Sequence, residues 1–255
     1  MSDYDSAMLE LLKIIWGDGF MSPGGPEAVR EIMAEIPLTG KFILDSGCGL
    51  GGFDQVLLSL GAQHVTAIDV APHLLEIARK RIAAAGEDSR IRFDLVAPEA
   101  PLPYSDGSFD VVFTKDAWIH VLDKPRLLRE VLRVLKPGGW LAGGDWMKGP
   151  DPYSADMIRF IELEGIPYHP ATLPDYRAML QAAGFEMVKV ADFNDWYCDL
   201  AKQELARMKS ELFDVMTEKL GADLRDHWIE DWRMQTVVLE NGELRPGRLW
   251  ARKPT

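Results

Sequence analysis

Two cysteines in 255 residues, Cys48 and Cys198, are too few for a disulfide framework and lack metal-ligand spacing. Both are expected as reduced thiols, with no bound metal. No apolar run approaches the roughly 18 residues that cross a bilayer, which argues against a membrane protein. Basic residues are scarce: 28 Lys and Arg stand against 40 Asp and Glu, for a formal net charge of -12. Proteins that track phosphate backbones bind by counterion release to clustered cations, so nucleic acid is not an expected partner. The leading MSDYDSAMLELLKIIWGDG carries acids where a secretory signal carries bases, and a cytoplasmic location is expected. Internal repeats and low-complexity tracts are also missing. Nothing in the sequence sets the oligomeric state.

What is present suffices for a full core, with 47% hydrophobic residues, and the length suits one domain over 1–255. Its most informative stretch is LDSGCGLGG, Leu44 to Gly52, between an apolar run and a helical pattern. A strand, a glycine turn and a helix in that order make a cofactor cradle, with Gly47 and Gly49 free of obstructing side chains. A second strand ends in Asp69, followed by Val70, where a Rossmann-like unit places the carboxylate that takes ribose hydroxyls. GCGLGG fits neither the G-x-G-x-x-G dinucleotide fingerprint nor the G-x-x-x-x-G-K-[ST] phosphate loop.

Around this motif strands are expected at 42–45, 64–69, 91–95, 109–114 and 140–145, with helices at 53–60, 72–85 and 124–135 between them. Such alternation implies mostly parallel pairing with helices on both faces. The apolar spacing of Met8, Leu11, Leu12 and Ile15 predicts a helix over 3–16, and a second helix follows the loop GDGFMSPGGP, so 1–36 reads as a helical cap. Residues 41–145 form the cofactor-binding core. After Asp145 the proline- and aromatic-rich stretch 146–170 reads as a lid insertion, and the amphipathic 195–235 extends it. Helix 173–183 and strands at 185–191 and 249–251 complete the sheet.

DSGCGLGG resembles the first motif of class I S-adenosylmethionine-dependent methyltransferases. The resemblance implies a Rossmann-like α/β fold, a seven-stranded mostly parallel sheet with helices on both faces and a helical lid, and S-adenosyl-L-methionine as cofactor. Asp45 is then expected to hold the turn and the amino-acid end of the cofactor, and Asp69 its ribose. After the strand IRFDLV the chain has Ala97 and Pro98 where this class usually carries an acid; Glu99 next to them is one substitute and backbone amides binding the adenine are the other.

The segments MSPGGPEAVREI, KDAWIH and HWIEDWRMQ are similar to the phosphoethanolamine N-methyltransferases. GDWMK, DHWIE and GELRPGRLWARK are similar to the sarcosine/dimethylglycine N-methyltransferases. By this resemblance Tyr4, Asp116 and His120 match active-site positions, Met21 and Ser22 match cofactor-loop positions, and Lys115 stands where the family has arginine. The chain departs from the phosphate-binding pattern, with Trp146 at an aromatic position, Ile166 in place of an arginine and Asp231 in place of a lysine. Glu162 and Glu164 add further negative charge to that region.

Only a deprotonated amine has the lone pair that attacks a methyl group, so a base is required, and His120, oriented by Asp116 or Tyr4, is the candidate. Asp116 and His120 stand four apart, on one face if the segment is helical. Trp118, Trp146, Tyr153 and Tyr168 are candidate substrate contacts through cation–π interaction. Arg233, Arg245 and Arg248 are candidates for a substrate carboxylate, with Arg233 leading. The expected activity is N-methylation of a small amine or amino acid of the sarcosine or dimethylglycine kind. Phosphoethanolamine N-methylation, S-methylation of a small thioether and a non-catalytic cofactor-binding regulator are the alternatives.

Overall fold

Alternate side chains of the apolar strands serve opposite faces of one sheet, and that period of two builds two cores. In β1 (Phe42–Ser46) Ile43 packs on one side and Leu44 on the other; in β4 (Phe109–Lys115) Val111 and Phe113 oppose Val112 in the same way. The computed structural model describes residues 4–149 and 152–255. Residues 1–3, including the Asp3 at which the first helix was expected to start, and two lid residues, 150 and 151, lie outside the described residues.

With β2 (His64–Asp69), β3 (Ile91–Leu95), β5 (Leu135–Asp145), β6 (Glu186–Asp192) and β7 (Gly247–Arg252), the seven strands are ordered β3-β2-β1-β4-β5-β7-β6. Pairings from β3 through β5 are parallel, and β7 runs antiparallel to both of its neighbours. The expected fold is borne out. Strand β5 starts earlier than the KPGG turn suggests, because Leu135 already pairs with Phe109 before the ladder resumes at Val111 and Trp140, leaving 136–139 as an irregularity within the strand.

One face carries α2 (Gly25–Met33), α3 (Gly52–Ser59) and α4 (Pro72–Ala84); the other carries α5 (Lys124–Val134) and α7 (Leu173–Ala183). Local signals fix these ends. Pro72, Pro125 and Pro174 sit in first turns, where a missing N–H costs nothing, and Thr172 with Asp175 forms a reciprocal capping box.

Above the carboxyl ends of the parallel strands lies a helical layer of α1 (Ser6–Trp16), α6 (Ala155–Glu164), α8 (Asn194–Met208), α9 (Phe213–Leu220) and α10 (Ala222–Glu240). Met8, Leu11, Leu12 and Ile15 of α1 bury against Met208, Met216, Trp228 and Trp232. Helix α6 was hidden from the sequence pattern by the prolines on either side, yet Ser154 caps it and Met157, Phe160 and Leu163 bury one face. Both cysteines are free and buried. Among the described residues no helix is long and apolar enough to cross a membrane.

Candidate functional site

The order of strands reverses between β1 and β4, and ligands of open α/β sheets bind beyond the strand ends at such a reversal. There the structure has a cavity of about 650 Å³. The glycine turn after β1 forms its floor. Gly47 has φ +90°, and a Cβ there would stand 2.2 Å from the Ala117 Cβ; Gly49 has φ +52°, and its Cβ would stand 2.6 Å from the Met21 sulfur. The turn thus needs glycine so that the amino-terminal segment and the loop after β4 can close over it, in addition to baring backbone to a ligand.

Asp69 ends β2 facing this cavity. Its Oδ2 accepts from the Gly49 N–H and its Oδ1 from the Ala71 N–H, both at 2.9 Å, which pins the carboxylate while leaving lone pairs for a ligand's hydroxyls. Met21, Ser22, Gly47, Gly49, Val70, Glu99 and Lys115 line the same cavity. Glu99 sits at φ +56° and its Oε1 accepts from the Leu122 N–H at 3.1 Å, so it braces the loop that follows β4.

Asp45 lies elsewhere. It is buried beneath the turn against Asp54 of α3 and does not line the cavity, so the expected contact with the amino-acid end of the cofactor does not fit its position. Burial and mutual repulsion push the Asp45 carboxyl up, and burial carries Asp54 to about 7. Neither Asp54 oxygen nor Asp45 Oδ2 meets a donor from another residue. A proton shared by the two carboxyls bridges one oxygen of each and makes the pair a brace between the turn and α3.

Beyond β4, Lys115 and Asp116 form a buried ion pair. Asp116 adopts φ +57° and its N–H donates to the Gly144 carbonyl at 2.8 Å, turning its carboxylate back over the strand end. The Tyr197 hydroxyl lies 3.1 Å from Asp116 Oδ1, and Lys115 Nζ lies 3.2 Å from that hydroxyl and 3.4 Å from Ser22 Oγ. Burial pushes the Lys115 ammonium down from its ordinary value while Asp116 opposes the change.

His120 ends a short 3-10 helix, Trp118–His120, rather than an α-helical turn. Its Nδ1 lies 2.7 Å from the Pro167 carbonyl, an acceptor only, so Nδ1 carries a proton. In the neutral ring Nε2 then accepts from the Tyr4 hydroxyl, 3.1 Å away. His73 Nε2 donates to the Tyr4 carbonyl at 2.9 Å and ties the amino-terminal segment to α4. The 3-10 helix is held by Asp145, which accepts from the Ile119 N–H at 2.9 Å and from the Tyr176 hydroxyl. Burial raises Asp145 to about 7. Sequence reasoning missed this positioning role, although an acid at the end of β5 is the available signal.

Tyr4, Met21, Asp116 and His120 also line a second, smaller cavity of about 90 Å³ under the helical layer. Trp146, Tyr168, Ile166 and Glu164 line it as well, and so do Trp228 and Trp232 of α10. Trp118 belongs to the first cavity, where it is 2% exposed and donates from Nε1 to Ser46 Oγ at 3.1 Å. Tyr153 and Arg233 line neither cavity. Arg233 is paired with Glu230 at 2.7 Å on the surface, Arg245 with Asp192 at 2.6 Å and Arg248 with Glu31 at 2.7 Å. A substrate contact does not fit these positions, because none of Tyr153, Arg233, Arg245 and Arg248 lines either cavity and each arginine has a carboxylate neighbour. Glu204, passed over in the sequence, accepts from the indoles of Trp16 at 2.6 Å and Trp232 at 3.0 Å behind the smaller cavity.

Residues 44–143 match the family model described as a methyltransferase domain. Phosphoethanolamine N-methyltransferase 1 of Arabidopsis thaliana is 34% identical over 98% of this chain and 50% of its own length. The chain thus spans about half the length of that relative. The 27-O-demethylrifamycin SV methyltransferase of Amycolatopsis mediterranei is 30% identical, over 86% of this chain and 89% of its own. Haemonchus contortus phosphoethanolamine N-methyltransferase 2, solved with phosphomonomethylethanolamine and S-adenosylhomocysteine, superimposes with TM-score 0.90 at 22% identity, over 99% of this chain and 59% of that one. A Galdieria sulphuraria protein assigned as a sarcosine dimethylglycine methyltransferase gives 0.83 at 19% identity, over 100% and 99%. At these identities the two structures speak for the fold.

Proposed function

Because the chain belongs to the class I S-adenosylmethionine-dependent methyltransferases, we propose that it methylates the nitrogen of a small amine. The observation that carries this reading is the Tyr4–His120 hydrogen bond at the seam where the two cavities meet. The larger cavity has the volume, the pinned Asp69 carboxylate and the open glycine turn that suit the cofactor. Asp69 and the glycine turn would hold S-adenosylmethionine there, whose sulfonium would supply an electrophilic methyl group for the nitrogen.

The chain's own task is the proton. An amine at the seam gives its proton to Tyr4 Oη as Tyr4 passes its own to His120 Nε2, and the imidazolium then has both N–H groups engaged, by Tyr4 and by the Pro167 carbonyl. Asp116 and Lys115 balance each other's charge beside this path and fix the wall against which the acceptor is oriented.

For the acceptor, the names of the relatives favour phosphoethanolamine over the sarcosine or dimethylglycine expected from sequence, since the latter enters only through a structure of 19% identity. The charge of the smaller cavity favours an amine without phosphate. Glu164 lines it and, among the described residues, no Lys or Arg does, whereas a phosphate needs dense donors and positive charge. A panel of amines, amino alcohols, phosphoethanolamine and thioethers with labelled methyl donor, read by mass spectrometry of the product, tests the reading. Methyl transfer only to oxygen or sulfur would overturn it, and cofactor binding without any turnover would favour the regulatory alternative.

A further inference from the structure

The smaller cavity is built with acids for which proton removal at Tyr4 and His120 has no use. Asp231 is fully buried in α10, and neither of its carboxylate oxygens meets a donor. It lies on the helical face of Trp228, Trp232 and Gln235, which line the cavity, without itself belonging to that lining, and α10 packs on α6. Glu164, at the end of α6, lines the cavity from the other side. The two are close enough that Glu164 adds to the rise of the Asp231 carboxyl, and burial lifts Glu164 to about 7. The Tyr168 hydroxyl, also lining the cavity, is buried without a partner. Around these groups stand aromatic faces, Trp146, Phe160 and Trp228 among them.

We propose that Glu164 and Asp231 receive a second ammonium group of the acceptor, so that this enzyme's acceptors are short diamines. The proposal rests on the N-methylation reading above. A nitrogen about to be methylated must be neutral, and a site that stabilises its cation would suppress attack; the acid pair therefore suits a nitrogen that does not react. One nitrogen lies at the seam beside Tyr4 and His120, and the other at the far end, with a volume of about 90 Å³ limiting the chain between them to a few carbons. Ionised by the incoming cation, the two carboxyls and the Tyr168 oxygen supply its acceptors, and the aromatic faces supply the rest of its shell.

Isothermal titration of 1,3-diaminopropane and of propylamine into the protein saturated with S-adenosylhomocysteine tests this. The diamine is expected to bind at least about tenfold more tightly, and that ratio to fall below about twofold in Glu164→Gln and in Asp231→Asn. Unchanged S-adenosylhomocysteine affinity in each variant reports an intact fold, and the comparison on the unsubstituted protein decides even if a variant does not fold. Equal affinity for the two amines overturns the proposal, as does a preference that survives both substitutions in folded protein. A methylation assay on the same amines separates the two readings. Tight diamine binding without N-methylation would sink the transfer and leave the site, whereas equal turnover of monoamine and diamine would leave the transfer and sink the site.

Discussion

Tyr4 and His120 stand 116 positions apart in sequence and meet with the phenol oxygen 3.1 Å from Nε2. The Pro167 carbonyl holds the opposite ring nitrogen at 2.7 Å, so the geometry itself selects the tautomer with a lone pair toward the phenol. A segment before α1, the loop after β4 and the loop after α6 converge on one imidazole.

In the proposed relay, replacing His120 with Ala removes the proton's destination. Turnover is expected to fall by roughly 10²-fold or more, with S-adenosylmethionine affinity changed little, because the ring serves the acceptor side. Tyr4→Phe keeps the ring contact and loses the relay, and is expected to lower kcat more than it raises KM. Steady-state kinetics with calorimetry check both, and full turnover in the His120 variant would contradict the assignment.

Asp69→Ala is expected to weaken S-adenosylmethionine by roughly one to a few kcal/mol through lost charge-assisted bonds. The Gly49 and Ala71 N–H groups would also lose their acceptor, so the turn loosens with it. Titration of the cofactor into the folded variant reads the effect directly, and unchanged affinity would remove Asp69 from the site.

The sheet and the cofactor turn were legible because period-two apolar strands, Gly47, Gly49 and Asp69 carry local rules that tertiary context does not override. That Tyr4, Asp116 and His120 share a cavity was legible through resemblance. What stayed hidden was partnership at a distance. Asp45 pairs with Asp54 under the turn, Arg233 with Glu230 on the surface, and Asp145 with Tyr176 behind the 3-10 helix. Residue type and spacing name a charged side chain without saying which neighbour neutralises it. Helix α6 escaped for another reason, since its ten residues lie among prolines that mark a loop.

The buried Asp45–Asp54 pair ties stability to pH. Asp54 titrates at about 7 in the folded protein against an ordinary 3.8, so its contribution is fully present below the unfolded value and is lost as pH rises through about 7. In Asp54→Asn the amide can donate to Asp45 without a proton to lose. Its stability relative to the unsubstituted protein is expected to rise between pH 5 and 8, by on the order of 1 kcal/mol or more. Denaturant titrations at the two pH values check the slope, and a pH-independent difference would contradict the shared proton.

Gly49→Ala forces a side chain into φ +52° and onto the Met21 sulfur. A loss of about 1–2 kcal/mol from the backbone alone is expected, with weaker cofactor binding as Met21 is displaced. Thermal unfolding with and without S-adenosylhomocysteine checks it, since the ligand-induced stabilisation should shrink along with the Tm.

Side-by-side kcat/KM values for phosphoethanolamine, sarcosine, dimethylglycine and a short diamine decide whether the acceptor is, as proposed, an amine without a phosphate. A phosphate beside Glu164 and the buried Asp231, whose carboxyls burial holds toward the neutral form, would be desolvated with no Lys or Arg among the described residues that line the cavity to offset the cost. An unphosphorylated amine is expected to lead by at least about tenfold, equivalent to roughly 1.4 kcal/mol. A clear preference for phosphoethanolamine would contradict the account.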